Sequence, residues 1–504
     1  MGLAFRLVSG CARPVLRVKN GPTFPSPMLF NSLIFALYLP IVFTLYWGLG
    51  RTRPRLQNAF IIVASYVFYG WWDVRFLGLI VLSSLVDFLI GDRLYKAQTI
   101  RRKRLLLWVS LGVNLGVLGV FKYLGFFVES ARAALLSVGI EMPAMSLEIV
   151  LPVGISFYTF QTLSYTIDIY RGRLKPVSDP ITFFAFVSFF PQLVAGPIER
   201  ASALLPQFVK PRSFDVDRAK DGLRQMLWGF VKKVVIADNI APAVEVAFSQ
   251  HAQLDGVALI CGAALFSIQL YCDFSGYSDM AIGMARLFGI ELSQNFAFPY
   301  FARSMREFWR RWHISLSTWF RDYVYIPLGG ARANVRRAAM NVLIVFTVSG
   351  LWHGAAWTFV IWGLLNGLYT LPALLRSTPV QKGVVAQGRL LPGVMDCVAM
   401  ARTFALWTLS LVLFRATSIE QAGGYFYAAL SNPYLPTVDH QAFVLPICMG
   451  FALIACEWFQ RSKPHGLEIG HWPRWIRWGT YISLGLILLS FGSVKSRAFV
   501  YFQF

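Results

Sequence analysis

FWRRWHISLSTWFRDYVYIPLGG (residues 308–330) and SGLWHGAAWT (residues 349–358) are the two most informative stretches of this chain. Each contains one histidine, His313 or His353, in sequence that is otherwise apolar and rich in tryptophan. An ionisable side chain at membrane depth is costly and usually functional, and imidazole suits proton transfer near neutral pH. The two histidines therefore favour an enzyme over a scaffold.

The whole chain has the composition of an integral membrane protein. Of its 504 residues, 56% are apolar and only 14% are charged, whereas a soluble domain carries about 25% charged residues. Long uncharged runs recur along the sequence. Because a spanning helix needs about 20 largely apolar residues, we predict an all-α polytopic membrane protein with roughly ten to twelve transmembrane helices, some of them re-entrant or interfacial.

The formal net charge of +22 does not indicate a nucleic-acid-binding protein. The basic residues cluster in short loops between apolar runs, as at 51–55, 101–104 and 461–463, where the positive-inside rule places them. We therefore expect a lipid bilayer as partner and no nucleic acid. The six cysteines show no CxxC or other metal-ligand spacing, so no metal site is expected either.

Residues 1–27 differ from the sequence that follows. They contain four basic residues and a proline-rich end, but no apolar run long enough to span a membrane. If the basic cluster at 51–55 faces the cytoplasm, the first span begins on the outer side of the membrane. The four basic residues of 1–27 would then lie outside, where the positive-inside rule disfavours them. We predict that 1–27 is a non-native or unstructured leader, that the mature chain begins at Met28, and that 28–504 forms a single membrane domain.

His353 lies in a nearly charge-free run, 340–369, which is long enough to form one tilted span. Small neighbours such as Gly350 and Gly354 leave room for another helix or a substrate chain beside the imidazole. The alternative is a structural histidine that makes one interhelical hydrogen bond. The small residues on both sides favour the chemical role.

The segment around His313 has the spacing of an amphipathic helix. A continuous helix would place Trp309, His313, Leu316 and Phe320 on one face. An interfacial anchor with snorkelling arginines is the alternative, and it explains the arginines and tryptophans without requiring the histidine.

A third block, QLYCDFSGYSDMAIG (269–283), places the carboxylates of Asp273 and Asp279 and the hydroxyl of Tyr277 directly after an apolar run. Gly276 would permit a break in the helix at this point. Intramembrane carboxylates face the protein interior or a wet cavity. The block therefore either lines a substrate funnel or bonds to interrupted backbone.

These three blocks resemble the membrane-bound O-acyltransferase family, specifically its bacterial branch that serves alginate O-acetylation and D-alanine transfer. Further blocks extend the resemblance from Met28 to Phe504: MLFNSLIFALYLP (28–40), FFPQLVAGPIER (189–200), LWHGAAWTFVIWGLLNG (351–367) and FVYFQF (499–504). The family fold implied is a set of helices around a central funnel. Residues 1–27 have no counterpart in the resemblance.

The resemblance implies an O-acyltransferase in which His353 is catalytic and His313 is also functionally important. No bound cofactor is implied; acetyl-CoA or another cytoplasmic acetyl donor would be a substrate. Guanidinium groups could hold the donor's phosphates, although positive-inside anchoring explains the same arginines equally well. The residues expected to bind substrate or donor are Arg310, Arg311, Arg321, Asp273, Tyr277 and Trp352.

The resemblance also implies a multi-pass protein of the bacterial inner membrane that acts in O-acetylation of an exported polysaccharide such as alginate. Periplasmic polysaccharide-acetylation proteins of the AlgJ or AlgX type would be its partners. Two alternatives stay open. One is D-alanyl transfer to a cell-wall polymer, and the other is a proton-coupled transporter in which His313 and His353 relay protons.

The predicted start of the mature chain can be tested directly. N-terminal sequencing of protein purified from its own host is expected to return Met28 as the first residue, because the charge of the leader conflicts with the orientation of the first span. An intact terminus at Gly2 would contradict this prediction.

Overall fold

The computed structural model describes residues 28–50, 53–143, 149–330, 334–376, 383–434 and 439–492, together with 497, 499 and 500. Within these residues every regular element is helical, which confirms the all-α prediction. The predicted leader, 1–27, and the last four residues of the closing block, 501–504, lie outside the described part.

Twenty α-helices follow one another along the described chain: α1 Leu33–Gly48, α2 Pro54–Gly70, α3 Leu77–Lys96, α4 Ile100–Leu118, α5 Leu124–Ser137, α6 Ile155–Tyr170, α7 Pro180–Ser188, α8 Phe190–Leu193, α9 Ala201–Val209, α10 Val216–Phe230, α11 Asp238–Ser249, α12 Gly256–Leu287, α13 Met305–Phe308, α14 Ile314–Phe320, α15 Val335–His353, α16 Trp357–Leu375, α17 Val394–Arg415, α18 Ile419–Ser431, α19 Gln441–Gln460 and α20 Arg474–Phe491. Turns of π-helix, Gly119–Tyr123 and Val231–Ala237, join α4 to α5 and α10 to α11, and a third, Arg321–Tyr325, follows α14.

The protein is a multi-pass membrane protein. In the described residues, seven helical stretches are long and apolar enough to cross a bilayer: Val74–Lys96, Ile100–Ser137, Gly256–Leu287, Val335–His353, Trp357–Leu375, Val394–Arg415 and Gln441–Gln460. Helix α1 is apolar but has only 16 residues. The expected total of roughly ten to twelve spans stays a prediction.

The run 340–369 forms a helical hairpin and not the single span that the sequence predicted. Helix α15 ends at His353 and α16 begins at Trp357. The two helices pack backbone against backbone, because a Cβ on Gly350 would lie 2.2 Å from the carbonyl oxygen of Phe359. Hydropathy stays high through the turn, so the apolar pattern gave no sign of it. The turn places His353 at a helix end.

Helix α12 is the longest uninterrupted α-helix of the described part, with 32 residues. The break that Gly276 would permit does not occur. A Cβ on Gly276 would lie 2.8 Å from the carbonyl oxygen of Gly229, and one on Gly283 would lie 2.3 Å from that of Gly222. These glycines let α10 and α12 approach closely, as small residues do between membrane helices.

This close approach predicts a specific sensitivity to added volume. Gly283→Ala should destabilise the protein by about 1–3 kcal/mol, because the new methyl group meets backbone that cannot rotate away. Thermal unfolding in detergent, followed by size-exclusion chromatography, measures the change.

Gly112→Ala in α4 is the matched control, since a Cβ at Gly112 meets nothing within 4 Å. Alanine is the better helix former, so this variant should be as stable as the wild type or more so. Equal thermal stability of the two variants would contradict the proposed packing of α10 on α12.

Candidate active site

His313 lies in a non-helical turn between two short helices. Helix α13 ends at Phe308 and α14 begins at Ile314, so the predicted continuous helix through His313 is wrong. The backbone of His313 is left-handed, with φ of 45°, a conformation that costs a non-glycine residue about 1–3 kcal/mol and is found at functional sites. The main chain of Asn295 helps to hold the turn, because its carbonyl accepts the N–H of Ile314 at 2.9 Å.

The imidazole of His313 is buried and bonded on one side. Its Nδ1 lies 3.1 Å from Oδ1 of Asn295. Its Nε2 is buried and has no hydrogen-bond partner among the described residues. Burial lowers the pKa of His313 well below its ordinary value, so the ring is neutral near pH 7 and one ring nitrogen can accept a proton.

His353 is the last residue of α15, and its ring packs among aromatic side chains. The centroids of Trp362 and Phe414 lie 5.2 Å and 5.8 Å from that of His353. The centroids of the His313 and His353 rings are 6.3 Å apart. The structure thus brings together the two histidines that the sequence selected, although 40 positions separate them.

Lys122 is a neighbour of His353 that the sequence analysis missed. It lies in the π-helical turn between α4 and α5, and its Nζ donates to the carbonyl oxygens of Trp352 at 2.5 Å and His353 at 3.4 Å. A cation at this position satisfies carbonyls at the end of α15 and complements the helix dipole. The sequence does contain a sign of it, because Lys122 ends the apolar run 105–121. An ionisable residue in such a position is a candidate for function.

Several hydrogen-bond donors near the histidines are available to a bound molecule. The indole N–H groups of Trp309, Trp352 and Trp362 are buried and have no acceptor among the described residues. Trp352 and Trp362 both contact the ring of His353. A buried donor normally has a partner, so these groups suit the oxygen atoms of a substrate.

The three arginines predicted to hold the donor lie in different surroundings. Arg311 is paired with Glu307 at 2.8 Å and also donates to two main-chain carbonyls. Arg321 is paired with Asp322 at 2.7 Å, and both Arg310 and Arg321 are exposed. The protein contacts of Arg311 occupy much of its hydrogen-bonding capacity. Donor binding by these arginines stays a prediction.

Asp273 and Tyr277 contact other parts of the protein. One carboxylate oxygen of Asp273 accepts from Lys233 at 2.6 Å, and the other accepts the backbone N–H of Val500 at 2.7 Å. These bonds favour the structural alternative for Asp273. Tyr277 stacks on Phe30 with ring centroids 4.3 Å apart. Substrate contact by either residue stays a prediction.

A buried ionic network surrounds Asp273, and its lysines were also missed in the sequence. Lys233 bonds to Asp238 at 2.9 Å as well as to Asp273. Lys232 bonds to Asp279 at 2.7 Å. Breaking one partner of such a buried pair leaves an uncompensated charge and is strongly destabilising. The network therefore fixes α12 against the turn 231–237.

Comparison with known proteins identifies the same region. Residues 173–412 match the family model MBOAT, the membrane-bound O-acyltransferase family. The chain is 40% identical over 407 residues to the probable alginate O-acetylase AlgI of Azotobacter vinelandii, covering 80% of this chain and 78% of that protein. The protein of the same name from Pseudomonas aeruginosa is 41% identical, with 80% and 75% covered. The peptidoglycan O-acetyltransferase of Helicobacter pylori is 35% identical, with 78% of each chain covered.

The contact of Lys122 with the end of α15 predicts a loss of activity on its removal. Lys122→Met should lower the rate of acyl transfer about 10- to 100-fold. The end of α15 would lose the hydrogen bonds that Lys122 donates to its carbonyls, and His353 would no longer be held in position. The measurement is the transfer rate per amount of folded protein in the membrane.

Lys96→Met serves as the control, since Lys96 is exposed and pairs with Asp92 on the surface of α3. This variant should keep the wild-type rate. A Lys122→Met protein with an unchanged rate would show that the lysine does not position His353.

Proposed function

The chain belongs to the membrane-bound O-acyltransferase family, and we propose that it transfers an acetyl group from a cytoplasmic donor for O-acetylation of an exported polysaccharide. The bacterial inner membrane would then be its location. One observation supports this above all: two buried imidazoles lie with ring centroids 6.3 Å apart inside a membrane-spanning protein. In such a site, a donor that enters from one side of the membrane would meet an alcohol that is delivered from the other side.

In this proposal His353 is the general base. As the hydroxyl oxygen of the acceptor attacks the carbonyl carbon of the donor, the hydroxyl proton moves to the imidazole of His353. A new C–O bond forms, and the bond from the carbonyl carbon to the leaving group breaks. The leaving group, a thiolate if the donor is acetyl-CoA, then takes the proton from the imidazolium. Base assistance of this kind contributes about 10²–10⁴-fold in rate.

The aromatic surroundings of His353 support such chemistry. The rings of Trp352, Trp362 and Phe414 enclose the imidazole, and an enclosure of this kind protects an activated acyl group from hydrolysis. The free indole N–H groups of Trp352 and Trp362 are donors that could stabilise negative charge on the acyl oxygen.

The names of the relatives support acetyl as the group transferred and a polysaccharide as the acceptor. The two relatives at 40% and 41% identity are named for alginate and the one at 35% for peptidoglycan, and all three names specify O-acetylation. We favour an alginate-type polymer, acetyl-CoA or another cytoplasmic acetyl donor, and periplasmic partners of the AlgJ or AlgX type. D-alanyl transfer is the alternative within the same chemistry.

Replacing the proposed base tests this function. His353→Ala should abolish base-labile acetate on the exported polysaccharide while the protein still accumulates in the membrane, because no other group then accepts the hydroxyl proton. His313→Ala should lower the acetate strongly as well. Acetate released by mild alkali is measured in strains that carry each variant in place of the chromosomal gene.

His471→Ala is the matched control, because His471 is an exposed histidine distant in sequence from both sites. It should leave the acetate unchanged. Wild-type acetate in the His353→Ala strain would overturn the proposal. Loss of polymer-bound D-alanine with acetate intact would select the D-alanyl alternative, and loss of solute flux with both esters intact would select a transporter.

A further inference from the structure

We propose that Asn295 is a positioning residue which holds His313 in a single tautomer, with the proton on Nδ1 and the accepting lone pair on Nε2. His313 would then be a second proton acceptor beside His353 and not only a structural neighbour. This inference rests on the proposed acyl transfer and assigns a role to Asn295 and a protonation state to His313.

The first step is the orientation of the Asn295 amide, which its other contacts fix. The backbone N–H of Ser315, which can only donate, lies 3.3 Å from Oδ1 of Asn295. On the opposite side, Nδ2 of Asn295 donates to Oγ of Ser278 in α12 at 3.1 Å. An amide turned the other way would place its NH₂ group against a backbone N–H. The atom that faces His313 is therefore the carbonyl oxygen.

The hydroxyl of Ser315 agrees with this orientation. Its Oγ donates to Oδ1 of Asn295 at 2.8 Å and accepts the backbone N–H of Ile198 at 3.0 Å. The same Oγ lies 3.5 Å from Nδ1 of His313, but its contact with Oδ1 of Asn295 is much shorter, so the single proton of this hydroxyl is directed to Asn295. Ile198 belongs to the FFPQLVAGPIER block, so the arrangement ties that block to the histidine site.

The second step is the tautomer of His313. A carbonyl oxygen only accepts, so the contact at 3.1 Å requires a proton on Nδ1 of His313. A neutral imidazole carries one N–H, which leaves the lone pair on Nε2. This Nε2 is the buried atom without a hydrogen-bond partner among the described residues. The ring is thereby prepared to accept a proton from a bound hydroxyl or thiol.

The other groups near the His313 ring are a second histidine, neutral aromatic rings and charges that are bonded elsewhere, whereas Asn295 bonds directly to Nδ1. From α15, His353 faces the His313 ring at 6.3 Å, and Lys122 bonds to the main chain of that helix end. From α12 and the loop that follows it, the neutral rings of Phe274 and Phe296 contact the imidazole. On its own segment, the nearby guanidinium of Arg311 is paired with Glu307.

Two substitutions of Asn295 separate positioning from simple packing. Asn295→Leu removes the accepting oxygen and should lower the transfer rate by about 10²- to 10⁴-fold, up to the loss seen when a histidine base is held in the wrong tautomer. Asn295→Asp keeps an acceptor for Nδ1–H, and Ser278 can rotate its hydroxyl to donate to the new carboxylate. This second variant should stay much more active than Asn295→Leu.

The pH profile gives a readout that packing alone would not change. A carboxylate beside His313 favours the imidazolium form, so the pKa of the ring rises in Asn295→Asp. Because the base must be neutral, the acidic limb of the rate profile should move to higher pH. Membrane vesicles from the producing strain are given radiolabelled acetyl-CoA, and label in the polymer is followed from about pH 4 to about pH 9, so that the acidic limb of a base with a lowered pKa falls within the range.

Gln441→Glu makes the same change from amide to carboxylate at an exposed position at the start of α19 and should leave both the rate and the profile unchanged. Equal losses in Asn295→Leu and Asn295→Asp, or an acidic limb that does not move in Asn295→Asp, would overturn the inference. Full activity of Asn295→Leu would overturn it as well. If His353→Ala is inactive in the same vesicles, such a failure concerns only Asn295; if His353→Ala is active, the acyl-transfer proposal itself fails.

Discussion

Every backbone N–H and carbonyl group that leaves a helix inside a membrane protein needs a partner from the protein itself, and the candidate site depends on how this requirement is met. The chain leaves helical structure beside both histidines, at 309–313 and at 354–356. At the first interruption the main chain of Asn295 accepts the N–H of Ile314. At the second, Lys122 bonds to the last carbonyls of α15. Both irregular segments are thus stabilised, and each presents an imidazole to the interior.

Helix α12 connects the site to the rest of the core. Residues four positions apart share one face of a helix, so Phe274 and Ser278 both point to the His313 region, where they contact the imidazole and Asn295. Asp273 points elsewhere and binds Lys233 and the backbone of Val500. The same helix therefore supports the histidine on one side and fixes the buried ionic network on another. Glycines along it allow α10 to pack at backbone distance.

The proposed chemistry would follow from keeping neutral imidazoles in apolar surroundings. Burial disfavours the charged imidazolium, so His313 retains a lone pair near pH 7. Aromatic rings around His353 restrict the access of water. Acyl transfer needs this combination, because the acceptor hydroxyl must be activated while the activated acyl group is protected from hydrolysis. The membership in an O-acyltransferase family agrees with it.

The sequence by itself determined the membrane class, the helical fold and the family, and it selected the two histidines that the structure brings together, because hydropathy and rare residue types are properties of the chain alone. It misplaced the structure around those histidines. The hairpin turn after His353 was missed because apolarity continues through it, and the left-handed backbone of His313 was missed because the spacing of an amphipathic helix continues through that turn. Only the tertiary structure revealed Asn295 and Lys122 as their partners. The hydrogen bond between Lys122 and the carbonyl of His353 joins residues 231 positions apart, and a contact of that kind depends on how helices pack in space, which no local pattern of residues records.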